Sequence, residues 1–439
     1  MPPEHVRAAV ATLTREALAA ERWFGAKDAA VADVELAGAL GPFDAEWLLA
    51  LRVGGQAYLL PAAVHDERLE PADGPLWQAL ARACLEGAAL PGDGLELTGR
   101  PGPAGAVRLD PGVRPLGIDQ SNTSMVLGER LVLKCYRRLT PGPHPEIELT
   151  RHLAARGLAC VPAVRGSATV TVAGETAGAL LLQDYIADGR DGWLAAEEEL
   201  GALIDRGEAG ASSAAAAVWA PAVGEATADL HALLATADGE GFRPRRAEPA
   251  EAAALAERAQ RELDEALSVL DEPVRGELAA AAPALGRRFA AFTRSEPPLL
   301  MRVHGDLHLG QFLRRDGGTP MLVDFEGEPT KTAAERRRRS SPLRDLAGLL
   351  RSVDHAAHWV CSDRGEIVGP VAAAWISAVR GGIRAAYERR LAERDAPFTV
   401  DDGLLAAFEA EKAVYEFVYA ARFLPSWLTV PRRALASAL

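Results

Sequence analysis

A chain of 439 residues exceeds what one hydrophobic core usually holds and suits two or three packed units. It is 49% hydrophobic and 25% charged, an ordinary globular composition, and its net charge of -13 lacks the basic footprint of a nucleic-acid or anionic-membrane binder. Four scattered cysteines (Cys84, Cys135, Cys160, Cys361) show neither a paired nor a metal-ligand spacing, which suits reduced thiols.

In chain order, Val6, Val10, Leu13 and Leu18 fall near helical spacing and predict a helix over 5–20. Strands follow at 31–40, 47–53 and 56–60, then a helix at 76–90, which together make a small α+β unit ending near Pro91-Gly92-Asp93-Gly94. A β-rich stretch comes next, with strands at 95–97, 107–109, 124–127 and 130–136, a helix at 145–156, and strands near 163, 169–172 and 179–183. From Trp193 the pattern is mainly helical. An Ala/Ser-rich turn at 211–217 precedes helices at 223–235, 249–270, 274–293, 342–353, 366–391 and 402–422. No internal repeat stands out. Met1 to Arg7 lacks the apolar core of a signal peptide and no apolar run reaches membrane-spanning length, so a cytoplasmic location is expected.

The chemistry concentrates in His304-Gly305-Asp306-Leu307-His308-Leu309-Gly310-Gln311 and, thirteen positions on, Asp324-Phe325-Glu326. An aspartate in a tight glycine-containing loop accepts or orients a hydroxyl proton. The oxygen of Gln311 and the carboxylate of Asp324, at the end of the next apolar strand, suit the Mg²⁺ that bridges ATP phosphates. Lys134 alternates with apolar neighbours in Leu131-Val132-Leu133-Lys134-Cys135-Tyr136 and is one of only four lysines, with Lys27, Lys331 and Lys412. Its ammonium suits the α- and β-phosphates. Glu148 in the following helix is the expected partner of Lys134, with Glu146 as the competitor. Ser121, Asn122, Thr123 and Ser124 occupy the place of a phosphate-covering turn, where small hydroxyls and backbone N–H groups bind phosphate. Gln183 to Ile186 link the strands to the helical part, where backbone groups of Gln183 and Ile186 would meet adenine.

These segments resemble the protein-kinase-like small-molecule kinases of the aminoglycoside phosphotransferase type, most closely the actinobacterial maltokinases and their glucosamine kinase relatives. The similarity covers nearly the whole length. Its markers are Arg22 to Lys27, Gln120 to Ser124, Val303 to Gln311, Asp324 to Pro329, Ser341 to Asp345 and Glu411 to Glu416. It implies an α+β, bilobal protein-kinase-like fold: an N-terminal cap domain (1–92), an N-lobe-like subdomain (93–186), and a helical C-terminal lobe (187–439) with the catalytic loop and sugar site. ATP would bind between the latter two. By motif, Asp306 is the catalytic base, Gln311 and Asp324 hold Mg²⁺, Lys134 with Glu148 binds phosphate, and Asp345 braces the catalytic loop. The implied partners are ATP and a small sugar, not nucleic acid or membrane.

The family places the helix at 402–422 beside the sugar. That marks Glu409, Glu411, Tyr415 and Trp427, with Asp306, as substrate residues, since an indole stacks on a pyranose and carboxylates bind hydroxyls or an ammonium. Maltokinases carry Tyr-Glu-Ala-Arg-Asn-Arg-Pro after this helix, where this chain reads Tyr419-Ala420-Ala421-Arg422-Phe423-Leu424-Pro425. The lost polar groups disfavour a second glucose ring. The expectation is an ATP- and Mg²⁺-dependent glucosamine kinase acting at O6, with maltose 1-phosphate formation as the alternative and an inactive nucleotide-binding regulator as the weaker one.

Overall fold

The computed structural model describes residues 2–14, 18, 21, 24, 34–117, 122–207, 217–294, 296–315, 317–365 and 367–439. The chain divides into two units, Met1–Ala187 and Asp188–Leu439.

In the first unit, α1 (Glu4–Ala11) buries Val6, Ala9 and Val10 and ends at Thr12; residues 15–17 and 19–20 of the helix expected to residue 20 lie outside the described residues. Strands β1 (Glu35–Phe43), β2 (Glu46–Val53), β3 (Gln56–His65) and β4 (Arg68–Pro71) pair antiparallel in chain order. Helix α2 (Pro75–Glu86) has Pro at its start and a left-handed Gly87 at its end, the residue types that each terminus favours. The buried carboxylate of Glu46 accepts from the backbone N–H groups of Asp73, Gly74 and Leu76, each at 2.8 Å, and so caps α2 from the sheet.

A seven-stranded sheet follows, built from β5 (Ala89–Pro91), β6 (Leu95–Pro101), β7 (Val113–Pro115), β8 (Thr123–Leu127), β9 (Leu131–Cys135), β10 (Val164–Val172) and β11 (Glu175–Asp184), in the order β5-β6-β10-β11-β9-β8-β7. Residues 107–109, expected as a strand, are irregular. Helix α3 (Pro145–Ala155) crosses between β9 and β10. One apolar core holds Leu40, Leu48 and Leu59 of the first sheet, Trp77 and Leu80 of α2, and Leu133, Leu180 and Leu182 of the second. The boundary expected at 92 and 93 therefore falls inside a shared core. Each fully buried side chain of this size stabilises the unit by about 1.5–3 kcal/mol.

The second unit opens with β12 (Arg190–Asp191) and α4 (Gly192–Arg206), whose N-terminus is capped by the Asp191 carboxylate. It continues through α5 (Ala220–Ala235), α6 (Pro249–Val269) and α7 (Val274–Phe289) to the short strands β13 (Phe312–Arg314) and β14 (Met321–Leu322), which complete a sheet in the order β12-β13-β14. Helices α8 (Pro342–Asp363), α9 (Pro370–Glu393) and α10 (Asp402–Phe423) follow. The α8 helix runs ten residues past its expected end at 353. Asp354 and His355, which look like a polar break, are buried there against Arg380 and Glu416. Among the described residues, no helix is long and apolar enough to cross a membrane. The expected turn at 211–216 and the markers at 22–23 and 25–27 lie outside the described residues.

Candidate active site

In the first unit, Lys134 projects from β9 opposite Ser124 of β8 and Leu181 of β11. Its Nζ donates to Glu146 Oε2 at 2.8 Å, and the Tyr136 hydroxyl donates to the same oxygen at 2.7 Å. The partner of Lys134 is thus Glu146, not the expected Glu148. Two residues of helix rotate a side chain by about 200°, so when Glu146 faces the sheet, where it is buried, Glu148 faces away and is only half-buried. Thr123 Oγ1 accepts from Arg137 at 2.7 Å, and Asn122 and Ser124 are half-buried. Ser121 lies outside the described residues. Gln183 sits on β11 with its amide 3.4 Å from the Pro162 carbonyl, and Ile186 is half-buried.

In the second unit the catalytic loop is fastened from two sides. Asp345, in the first turn of α8, accepts from the backbone N–H of His304 at 2.7 Å and of Gly305 at 2.9 Å, and lies 3.3 Å from His231 of α5. Burial alone would raise the Asp345 carboxyl, but His231, His304 and these backbone bonds hold it below its ordinary value. The bracing expected of Asp345 is therefore a pair of backbone hydrogen bonds. Buried His304 contacts the Val323 carbonyl through Nε2 at 2.9 Å, and Val323 N–H donates to the Gln311 carbonyl at 2.9 Å. These bonds bring Gln311 and Asp324 to neighbouring positions.

Asp324 adopts φ +60°, a left-handed conformation that a non-glycine residue keeps only where its surroundings impose it. Gln311 packs its side-chain amide against His308, 3.1 Å from Nε2, while His308 Nδ1 accepts from the Gly310 N–H at 3.1 Å. Burial pushes His308 below its ordinary pKa and keeps it neutral. An amide oxygen and a carboxylate are the hard donors that Mg²⁺ takes, so this pair fits that ion.

Asp306 is half-buried, and Lys412 Nζ of α10 donates to its Oδ1 at 3.3 Å and to Glu328 Oε1 at 3.1 Å. Burial would lower the Lys412 pKa, but Glu328 and Asp306 outweigh it and hold the ammonium above its ordinary value. Glu328 also meets Arg344 at 2.9 Å. Beside Asp306 lies a cleft of about 330 Å³ lined by Trp193, His355, Lys412, Tyr415, Glu416 and Trp427, among others. Glu416 is held by Arg351 at 2.6 Å and His355 at 3.0 Å. Against the pull of burial, the Arg351 guanidinium and the contact with His355 keep its carboxyl at about 2.

Of the residues expected around the sugar, Asp306, Tyr415 and Trp427 line this cleft together. Glu411 does not: it is fully buried, bonded to Arg258 at 3.0 Å and Arg344 at 3.3 Å. Glu409 is taken up by Arg380 at 2.6 Å and does not line the cleft either. Sequence reasoning missed Lys412, Glu416, His355 and Glu328. The scarcity of lysine was the one available signal for Lys412; the others depend on long-range pairing.

The model of the phosphotransferase enzyme family matches residues 112–392. The chain belongs to that family. Two curated relatives of this phosphotransferase are named glucosamine kinase. One, from Streptacidiphilus jiangxiensis, is 32% identical over 75% of this chain and 74% of its own length. The other, from Mycolicibacterium smegmatis (strain ATCC 700084 / mc(2)155), is 31% identical over 75% and 80%. A solved glucosamine kinase in complex with glucosamine, ADP and inorganic phosphate superposes with a TM-score of 0.73 at 28% identity, covering both chains completely. Another crystal form of a glucosamine kinase gives 0.76 over 99% of each chain. The phosphotransferase is an enzyme of the kinase type with a protein-kinase-like fold, sheet-rich in its N-terminal part and helical in its C-terminal part.

Proposed function

We propose that this phosphotransferase moves the γ-phosphoryl group of ATP to glucosamine, at O6, with Mg²⁺ held by Gln311 and Asp324. The observation that carries the reading is one small cleft holding two carboxylates with different surroundings. Asp306 is tied to a single lysine, whereas Glu416 is fixed by Arg351 and His355 and stays ionised at any physiological pH. Lys412, which touches Asp306, and Glu416 are one helical turn apart on α10, about 6 Å along the axis. Asp306, through Lys412, and Glu416 thus line the same stretch of the cleft. At about 330 Å³ the cleft lies at the small end of ligand sites, which favours a monosaccharide over maltose. The relatives named glucosamine kinase support the same acceptor.

In this account Asp306 accepts the O6 proton through the oxygen that Lys412 leaves open, and Lys412 fixes the carboxylate in place. Asp345 keeps the loop backbone rigid, so that Asp306 meets the hydroxyl without reorganising. Glu416 receives the sugar ammonium, and the Trp427 indole offers a face to the ring. Lys134, oriented by Glu146, binds the α- and β-phosphates, while Asn122 precedes β8 and Thr123 and Ser124 begin it, at the phosphate-covering end of that strand. Gln183 and Ile186 belong to the segment that meets adenine. When bound, Mg²⁺ neutralises charge on the β- and γ-phosphate oxygens.

The test is ADP release with glucosamine, N-acetylglucosamine, glucose and maltose as acceptors. Glucosamine should give the highest kcat/KM, at least ~10-fold above glucose, a gap of about 1.4 kcal/mol for the ammonium contact. Efficient turnover of maltose with none of glucosamine would overturn the reading.

A further inference from the structure

The cleft is continued by aromatic surface that a single sugar does not use. On α10, Lys412, Tyr415, Glu416, Tyr419 and Phe423 recur three or four residues apart and form one stripe. The rings of Tyr415 and Tyr419 are 6.1 Å apart, and those of Tyr419 and Phe423 are 5.4 Å apart, so the stripe is a ladder of ring faces. Tyr415 and Tyr419 line the cleft, whereas Phe423 lies outside it and is 61% exposed. Trp193 and Trp427, 5.8 Å apart, line the same cleft, and Trp359 packs 5.2 Å from Trp427.

Exposed apolar side chains adjoin the cleft's lining residues: Trp359 packs on Trp427, and Leu194 follows Trp193 in the chain as Leu424 follows Phe423. Isolated exposed apolar residues are ordinary, but a cluster continuous with a binding cleft marks a contact surface. The distances say what remains uncovered. Lys412 to Phe423 spans about 16 Å of helix axis, and a pyranose that meets Asp306 and Glu416 lies at the Lys412–Glu416 end of it. Carbon 2 of a pyranose lies across the ring from carbon 5, which bears the O6 arm. An amino sugar with O6 at Asp306 therefore has its amine and the adjoining anomeric carbon at the end towards Tyr419.

We infer that the acceptor site continues past the sugar into a subsite for a planar apolar substituent on the anomeric oxygen, stacked on Tyr419 and Phe423 and facing Trp427. This rests on the amino-sugar reading above. Beyond Glu416 the stripe supplies ring faces and one phenol hydroxyl, which suits a flat apolar group better than a polar second sugar.

The experiment compares glucosamine, methyl β-glucosaminide and 4-nitrophenyl β-glucosaminide as acceptors by ADP release, in the parent protein and in Phe423→Ala. The nitrophenyl glycoside should show a KM about 10-fold below that of the methyl glycoside at similar kcat, the size of one or two aromatic contacts. Phe423→Ala should shrink that gap to within about 2-fold and leave glucosamine and methyl glycoside kinetics unchanged. Equal KM values for the two glycosides, rejection of the nitrophenyl glycoside, or a Phe423→Ala effect equal on all three acceptors would each overturn the subsite. If glucosamine is turned over and the nitrophenyl glycoside is not, only the subsite fails. If glucosamine itself is not phosphorylated, the amino-sugar reading fails and the subsite with it.

Discussion

Replacing Glu411 by Gln separates a structural role from a sugar-binding one. Its carboxylate is fully buried between Arg344 at 3.3 Å and Arg258 at 3.0 Å, and Arg344 is itself nearly buried. Two unit charges at such a distance interact by about 5 kcal/mol at an effective dielectric constant near 20. Gln keeps the shape and one acceptor but not the charge. Arg344 retains Glu328 at 2.9 Å and Arg258 is partly exposed, so the net loss sits at the low end of that for broken buried pairs, ~3 kcal/mol. For a unit of this size that lowers Tm by about 6–12 °C. Thermal unfolding and steady-state kinetics on Glu411→Gln would show the drop in Tm with the KM for sugar within about 2-fold of the parent. An unchanged Tm together with a KM raised 10-fold or more would refute the buried-network reasoning and return Glu411 to the sugar.

Asp306→Asn should lower kcat by at least ~10²-fold while leaving ATP affinity, measured by calorimetry, near the parent value. Glu146→Gln should raise the KM for ATP about 10-fold by freeing Lys134, equivalent to about 1.4 kcal/mol, and Glu148→Gln should change it less than 2-fold; the same kinetic series reads both. Burial and the neighbouring Glu411 push the Glu262 carboxyl from its ordinary value near 4.5 up to about 7. The folded chain then holds a proton that the unfolded chain has lost in that window, so this group's stability contribution is full below about pH 4.5 and is lost as pH rises through 7. At about 1.4 kcal/mol per pH unit the effect is capped at ~3 kcal/mol. Urea unfolding between pH 5 and 8 should show a decline that Glu262→Gln flattens; an identical slope in the variant would contradict this.

Much of the site was legible because its chemistry is local. His304 to Gln311 and Asp324 are joined by a short strand pair, and the Asp324 position follows from the apolar run before it. Lys134 stood out by rarity and strand alternation. The failures have a common physical cause, which is that residue type was given more weight than phase. Glu411 falls between Phe408 and Val414 on the core-facing stripe of α10, and a charge there must be paired inside rather than offered to a ligand. Choosing between Glu146 and Glu148 likewise needed the face that α3 turns to β9. Glu416 and His355 meet across α10 and α8, a pairing that sequence spacing does not encode.

The position of the phosphate on the product tests the central claim most directly. With glucosamine, ATP and Mg²⁺, phosphorus–proton correlation NMR should show the phosphate coupled to the C6 methylene protons, as a cleft with O6 at Asp306 and the ammonium at Glu416 requires. Coupling to the anomeric proton, or a product formed only from maltose, would contradict it.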